Sequence, residues 1–398
     1  MDLQVLEARL RALAIFRALL SDPVVEALLA CMAHHIDGST WDALGAYGEF
    51  AARLYRGGGD LARYVRRIAE EDGNVYIRAV GRGETPPAYL TACLEEELKT
   101  LQAAASLTPE DLTMPLLETY RDHLPRFGVT ETDLPALYRQ RLERVGRYGW
   151  GVWAGHHMFC LDEAGRVTPV RHPDPVRLED LVGYRREQEL VLENVRTLLA
   201  GGRAANMLLT GDAGTGKSST VKAVGNALQD EGLRMIEVRR DQLGRIPALL
   251  DELSENPLKF ILFIDDLSFQ ADDGGFGALK AVLEGSVSAR SGNVILCATS
   301  NRRHIVRERF SDREGDDVHR SDAMQETVSL SDRFGLHITF QKPGKEAYLD
   351  IVRALARREG VACGELDMLA ERFALERGGR SPRIARQFVD SLAAKMPL

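Results

Sequence analysis

The chain is short of cysteine, with five in 398 residues: Cys31, Cys93, Cys160, Cys297 and Cys363. An odd number, each tens of residues from the next, supplies neither a disulfide framework nor the paired thiolates of a zinc site. Long apolar runs are missing too. The longest stretch without Asp, Glu, Lys or Arg, from Tyr148 to Leu161, contains His156 and His157 and is too short and too polar to span a bilayer. Positive charge is not in excess, because 51 Lys and Arg stand against 59 Asp and Glu, a net charge of −8. That disfavours sequence-independent binding of nucleic acid by the whole surface and leaves room for a local basic patch. The opening Met1-Asp2-Leu3-Gln4 carries no basic segment, and Glu7, Arg9 and Arg11 interrupt any apolar one, so the expected location is cytoplasmic, with no membrane partner. Internal repeats and low-complexity tracts are absent. What is present is globular: 44% hydrophobic and 28% charged residues, in a length that suits two or three domains.

The first part of the chain has helical periodicity. Leu3, Leu6, Leu10 and Leu13 fall on one face, as do Leu61, Tyr64, Val65 and Ile68 behind Asp60, and Leu90, Leu94, Leu98 and Leu101 form a further stripe. Thr108-Pro109-Glu110-Asp111 is a helix start with proline at the first position. Residues 1–146 are therefore expected to form an all-helical domain. Residues 147–177 read as a connector with short strands, punctuated by Pro169, Pro173 and Pro175. From Leu178 onward, strand-like runs (206–209, 234–238, 260–264, 293–298 and 336–340) alternate with helical stretches, which predicts a parallel sheet of five strands with helices on both faces. The α/β core is expected over 178–342 and a small helical lid over 343–398.

Between the strand Met207-Leu208-Leu209 and a helix starting near Ser219 lies Gly211-Asp212-Ala213-Gly214-Thr215-Gly216-Lys217-Ser218, a full match to G-x-x-x-x-G-K-[ST]. Glycines let backbone N–H groups close around phosphates at a helix N-terminus, the Lys217 cation reaches the β- and γ-phosphates, and the Ser218 hydroxyl is placed for Mg²⁺. Ser219 opens the helix beside them. The run Phe260 to Ile264 then ends in Asp265-Asp266. An acid at the carboxyl end of a parallel strand beside the phosphate loop can hold the Mg²⁺ shell, the role expected of Asp265. Asp266 is the candidate to orient or deprotonate the attacking water. It is one methylene shorter than Glu, and a displacement of about 1 Å can cost on the order of 100-fold in rate, so slow turnover is a second expectation.

With these motifs the chain resembles the AAA+ ATPases, and further segments join the resemblance. Asn293 to Asn301 is similar to the sensor 1 strand, whose terminal polar residue meets the γ-phosphate or its water; Asn301 is the choice, Thr299 the alternative. Leu330-Ser331-Asp332-Arg333-Phe334-Gly335 resembles the arginine-finger segment in the form found in the Holliday-junction branch-migration motor, which implies that Arg333 reaches into a neighbouring subunit's site. Gly379-Arg380-Ser381-Pro382-Arg383-Ile384-Ala385 resembles sensor 2, implying a contact from Arg383 to the phosphates in cis. Leu181-Val182-Gly183-Tyr184 is similar to the segment lining the adenine pocket. Leu178 to Ala394, and more weakly the connector before it, resembles an uncharacterised bacterial group of AAA+ ATPases, which shares the Asp-Asp ending. The resemblance implies ATP hydrolysis with Mg²⁺ and a ring of identical subunits, without naming a substrate.

Clients are less legible. The loop after the second strand, Arg239 to Gly244, has no aromatic residue to grip a threaded polypeptide. Arg239, Arg240, Arg302, Arg303, Arg307 and Arg309 could meet nucleic-acid phosphates, or pair in solvent with Glu308, Asp312, Glu314, Asp316 and Asp317, the reading favoured here. His34-His35 and His156-His157 lack a cluster of further ligands, and Gly57-Gly58-Gly59 lacks a Lys-Ser pair, so neither is expected to bind metal or phosphate. The helical domain offers no catalytic constellation and is expected to recognise a protein client. The rival readings are a nucleotide-gated switch with negligible turnover and a nucleic-acid motor or loader.

Overall fold

A computed structural model describes residues 2–37, 39–113, 118–267, 269–270, 277, 279–280, 282–283, 292–301, 306–307 and 333–394. Leu330 to Asp332 of the finger segment, and Arg302, Arg303 and Arg309 with the acids expected to pair with them, lie outside the described residues. The chain divides into two compact units, Met1–Gly155 and His156–Leu398.

The first unit is helical. Asp60 accepts from the Arg63 amide at 2.9 Å and starts the helix Leu61–Glu71, whose Leu61, Tyr64, Val65 and Ile68 are all buried. Leu6, Leu10 and Leu13 from the first stripe and Leu94, Leu98 and Leu101 from the later one enter the same core. Each such side chain contributes roughly 1.5–3 kcal/mol of hydrophobic stabilisation. Among the described residues no helix is long and apolar enough to cross a membrane.

The second unit is built on a sheet of seven strands, where five were expected. In chain order they are β1 (Met158–Leu161), β2 (Val167–Pro169), β3 (Met207–Gly211), β4 (Leu233–Glu237), β5 (Lys259–Ile264), β6 (Val294–Ser300) and β7 (Leu336–Phe340). Their order across the sheet is β2-β1-β4-β5-β6-β3-β7. The five expected strands are contiguous and parallel. The two extra ones come from the connector: β1 pairs with β4 in parallel and β2 returns antiparallel beside it. The connector therefore does not stand apart. Residues 147–155 fall in the helical unit and 156–177 in the second, where β1 and β2 extend the sheet and Phe159 and Leu161 are buried.

Strand β5 is apolar at every position after Lys259, with Phe260 to Ile264 at most 1% exposed, as a strand covered on both faces must be. Helices α1 (Arg185–Leu199), α2 (Lys217–Ala227) and α3 (Ile246–Ser254) accompany the sheet. Three more, α4 (Lys345–Arg358), α5 (Leu366–Glu376) and α6 (Pro382–Ala393), pack around their own core of Tyr348, Val352, Leu355, Ala370, Phe388 and Val389. Ser381 starts α6 by accepting from the Ile384 amide, and Pro382 fills its first turn.

Candidate functional site

The carboxyl ends of β3, β5 and β6 meet where the strand order reverses, the position at which open α/β sheets form a crevice. β3 ends in the glycine loop. Gly211 has φ +140°, and a Cβ there would run into the Phe340 carbonyl of β7. Gly216, at φ +96°, turns the chain into α2, which begins at Lys217, two residues earlier than expected.

Lys217 is 5% exposed and donates to the carbonyls of Gly211 at 2.8 Å and Asp212 at 2.9 Å and to Oδ1 of Asn301 at 2.9 Å. Burial pulls its pKa below the ordinary 10.5, against the attraction of Asp212, Asp265 and Asp266. Three oxygens thus hold the ammonium where the loop closes, with no carboxylate bound directly to it.

Next to it, Oδ1 of Asp265 accepts from the Ser218 hydroxyl at 2.6 Å and from the Thr299 hydroxyl at 2.5 Å. Asp266 has φ +50°, a left-handed conformation that Asp tolerates better than most residues. Its amide donates to Thr299 Oγ1 at 3.0 Å, and its carboxylate accepts from the Asn301 amide nitrogen at 2.8 Å. Asn301 is therefore hydrogen-bonded to both Lys217 and Asp266. Thr299, the alternative at this strand end, is bonded to both acids.

These groups line a cleft of about 550 Å³, a volume in the range of small-molecule sites. Ala213 to Ser219, Asp265, Asp266, Thr299 and Asn301 line it together with Val182, Tyr184 and Arg383 at the start of α6. The Arg383 amide donates to the Gly214 carbonyl at 3.2 Å. Gly183, Gly211 and Asp212, expected at the nucleotide, are not among the residues lining the cleft; the Gly183 carbonyl accepts from Gln188, and its φ of +86° leaves its backbone close to Ile351. Tyr184, also left-handed at φ +55°, donates to the Gln341 carbonyl at 2.5 Å and stacks at a tilt on Phe340; burial pushes its phenol up to about 12. Ile351 and Leu355 of α4, and Arg386 of α6, also line the cleft and were not expected there, since on their helices they read as core and surface positions.

Arg333 does not line this cleft. It is half-buried just before β7, the strand at the sheet edge. Among the described residues, His, Cys, Asp and Glu nowhere gather in threes as a metal cluster would. A magnesium ion asks for less from a protein: one or two hard oxygen ligands, with phosphates and water filling the octahedron. Ser218 Oγ and the Asp265 carboxylate, 2.6 Å apart and facing the cleft, fit that requirement.

The five contiguous parallel strands, the glycine loop entering α2 and the acid-ended strand β5, one strand removed from β3, define a phosphate-loop α/β fold. The sequence matches the family described as "Protein of unknown function (DUF815)" over residues 154–396, and the chain belongs to that family. The match takes in the connector strands, where the motif resemblance was weaker, as well as the core and the helices after it. No curated protein matches the sequence. Among solved structures the chain is similar to the Thermotoga maritima RuvB Holliday junction branch migration motor, at 17% identity and TM-score 0.36 over 54% of this chain and 63% of that one. Two point variants of the same motor match alike, at 17% identity and TM-score 0.38 over 54% and 64%, and at 18% and 0.37 over 54% and 63%. The chain spans less than two thirds of that motor's length.

Proposed function

We propose that this protein is an AAA+ ATPase that binds ATP with Mg²⁺ in the cleft, hydrolyses it and uses the cycle to move a partner. The observation that carries the reading is that Lys217, Ser218, Asp265, Asp266, Asn301 and Arg383, separated by up to 166 residues in sequence (Lys217 to Arg383), line one cleft at the carboxyl ends of the strands.

Lys217 exchanges its carbonyl partners for phosphate oxygens, and the loop amides ahead of α2 bind the same groups. Bound Mg²⁺ neutralises charge on the β- and γ-phosphates, and Ser218 and Asp265 are the residues that would hold it. Asp266 takes a proton from the attacking water as oxygen bonds to the γ-phosphorus, and the bond to the bridging oxygen breaks, leaving ADP with the electron pair. Asn301 fixes the Asp266 carboxylate for that step. Arg383 binds phosphate from the α4–α6 layer, so that layer acts as a lid, and Val182 and Tyr184 face the base. Arg333, outside its own cleft, serves the next subunit of a homo-oligomeric ring. The helical unit, residues 1–146 with the short segment after them, recognises a protein client. The setting is cytoplasmic.

Mg²⁺-dependent ATP turnover, measured against protein concentration for the wild type and Lys217→Ala, tests this. Specific activity that rises with concentration and disappears in the variant supports it; equal rates for the two proteins refute it. A nucleotide-gated switch is the second reading, favoured by the short side chain of Asp266 and its bond to Asn301. Tight ATP binding with negligible phosphate release at every concentration would select it.

A further inference from the structure

We propose that Thr299 is a positioning residue that aims Asp265 at the cation and anchors Asp266, and that it does not itself contact phosphate. The proposal rests on the reading of the cleft as a Mg²⁺-ATP site. Thr299 is 2% exposed, in the centre of the sheet on β6, the neighbour of both β5 and β3. Its hydroxyl has one proton and two lone pairs. Asp265 is acceptor-only when ionised, so at 2.5 Å the proton belongs to the bond toward Asp265 Oδ1. The lone pairs are then free to accept, and the Asp266 amide donates to one of them at 3.0 Å.

Three donors converge on that same Oδ1: Ser218 Oγ, Thr299 Oγ1 and, at 3.1 Å, the Asp266 amide. Oδ2 receives none among the described residues. The carboxylate is thereby turned so that one oxygen is saturated and the other is left for water around a cation. Ser218 is itself a cation ligand in this reading, so on loading its hydroxyl leaves Asp265. Thr299, at 2% exposure, keeps its bond and holds the carboxylate in the same orientation. The bond to the Asp266 amide fixes the peptide that places Asp266 in its left-handed conformation, supported by the Leu267 amide donating to the Thr299 carbonyl at 2.7 Å.

The test separates the hydroxyl from the shape of the side chain and does not depend on turnover. Calorimetric titration with a non-hydrolysable imido analogue of ATP, in Mg²⁺ and in EDTA, is run on the wild type, Thr299→Val, Thr299→Ala and Thr299→Ser. The wild type is expected to bind more tightly in Mg²⁺. Thr299→Val and Thr299→Ala are expected to lose about 10-fold of that gain, the usual scale for groups that orient metal ligands, with affinity in EDTA unchanged. Thr299→Ser retains the gain to within about 2-fold. A folded Thr299→Val or Thr299→Ala protein with the full gain, or a Thr299→Ser protein as damaged as Thr299→Ala, overturns the proposal. A wild type with no gain in Mg²⁺ overturns the reading of the cleft itself, and is told apart because it needs no variant.

Discussion

The ammonium of Lys217 donates to the side-chain oxygen of Asn301 at 2.9 Å, across 84 residues of sequence, and the nitrogen of the same amide donates to Asp266. One side chain therefore joins the cation proposed to meet phosphate to the acid proposed to meet water. Asn301→Ala removes both bonds. Turnover is expected to fall about 100-fold through misplacement of Asp266, with ATP affinity changed far less, because the two loop carbonyls still hold Lys217. Initial rates together with an equilibrium titration check the split.

Burial lowers the pKa of Lys217, and this has a signed consequence. Phosphates favour the charged lysine, so its pKa rises on binding ATP. Below the lowered value the free protein already carries the charge, and affinity is flat with respect to this group. As pH climbs through that value, below the ordinary 10.5, binding takes up a proton and affinity falls. Stability runs the other way, since over the same window the unfolded chain binds more protons and folding becomes more favourable as pH rises. Calorimetry of ATP binding in buffers of different ionisation enthalpy reads the proton uptake directly, and Lys217→Met should abolish it.

Asp266 lies in a left-handed backbone conformation with its carboxylate bonded to Asn301. Asp266→Asn keeps the shape and an accepting oxygen for Asn301 but cannot take a proton. The expected loss of turnover is about 100- to 10,000-fold with ATP binding retained, the range for removing a general base. Single-turnover phosphate release on protein saturated with ATP measures it, and an unchanged rate would remove Asp266 from the chemistry.

Arg333 does not line its own cleft, so under the proposed function it acts on the cleft of another copy. Arg333→Ala is expected to bind ATP normally and to lose about 1,000-fold or more in turnover, the scale of a transition-state arginine supplied in trans. Lys217→Ala is inactive for a different reason but still carries the arginine. Mixing the two inactive proteins should restore activity, because a competent cleft then sits beside an intact Arg333. Failure to complement in subunits shown to co-assemble would place the arginine elsewhere.

The glycine loop was legible because its spacing is a local property of the chain, and the five core strands because burial on both faces leaves continuous apolar runs. The connector strands were not. Val167–Pro169 is only partly buried, and β1 acquires its meaning from pairing with β4, some 75 residues away. The wall formed by Ile351 and Leu355 was hidden for a related reason: these residues also belong to the core of the α4–α6 layer, and no pattern marks which core side chains also border a cleft. Thr299 stood beside Asn301 as an alternative for one role, whereas the structure bonds both to Asp266 and then parts them, Thr299 to Asp265 and Asn301 to Lys217, which only the approach of β6 to β5 and β3 decides.

Glu97 was equally invisible, being a charged residue beside the Leu94, Leu98 and Leu101 stripe where a helix surface would be expected. It is 7% exposed, and its two oxygens accept from the amides of Ala14 at 2.7 Å, Ile15 at 3.1 Å and Phe16 at 3.0 Å, with the Cys93 thiol adding a fourth donor at 3.3 Å. The loop after the first helix thus has its otherwise orphaned N–H groups satisfied by a carboxylate from a helix more than 80 residues away. Glu97→Gln keeps the shape but replaces one accepting oxygen with a donor that faces amides, so bonds are lost and like groups are opposed. The expected cost is about 2–4 kcal/mol, from charge-assisted bonds broken in a buried place. Denaturant unfolding of the full chain should show an earlier transition for the helical unit, while ATP binding at low denaturant is unchanged. If the variant unfolded with the wild type, the carboxylate would be a bystander to the loop it touches.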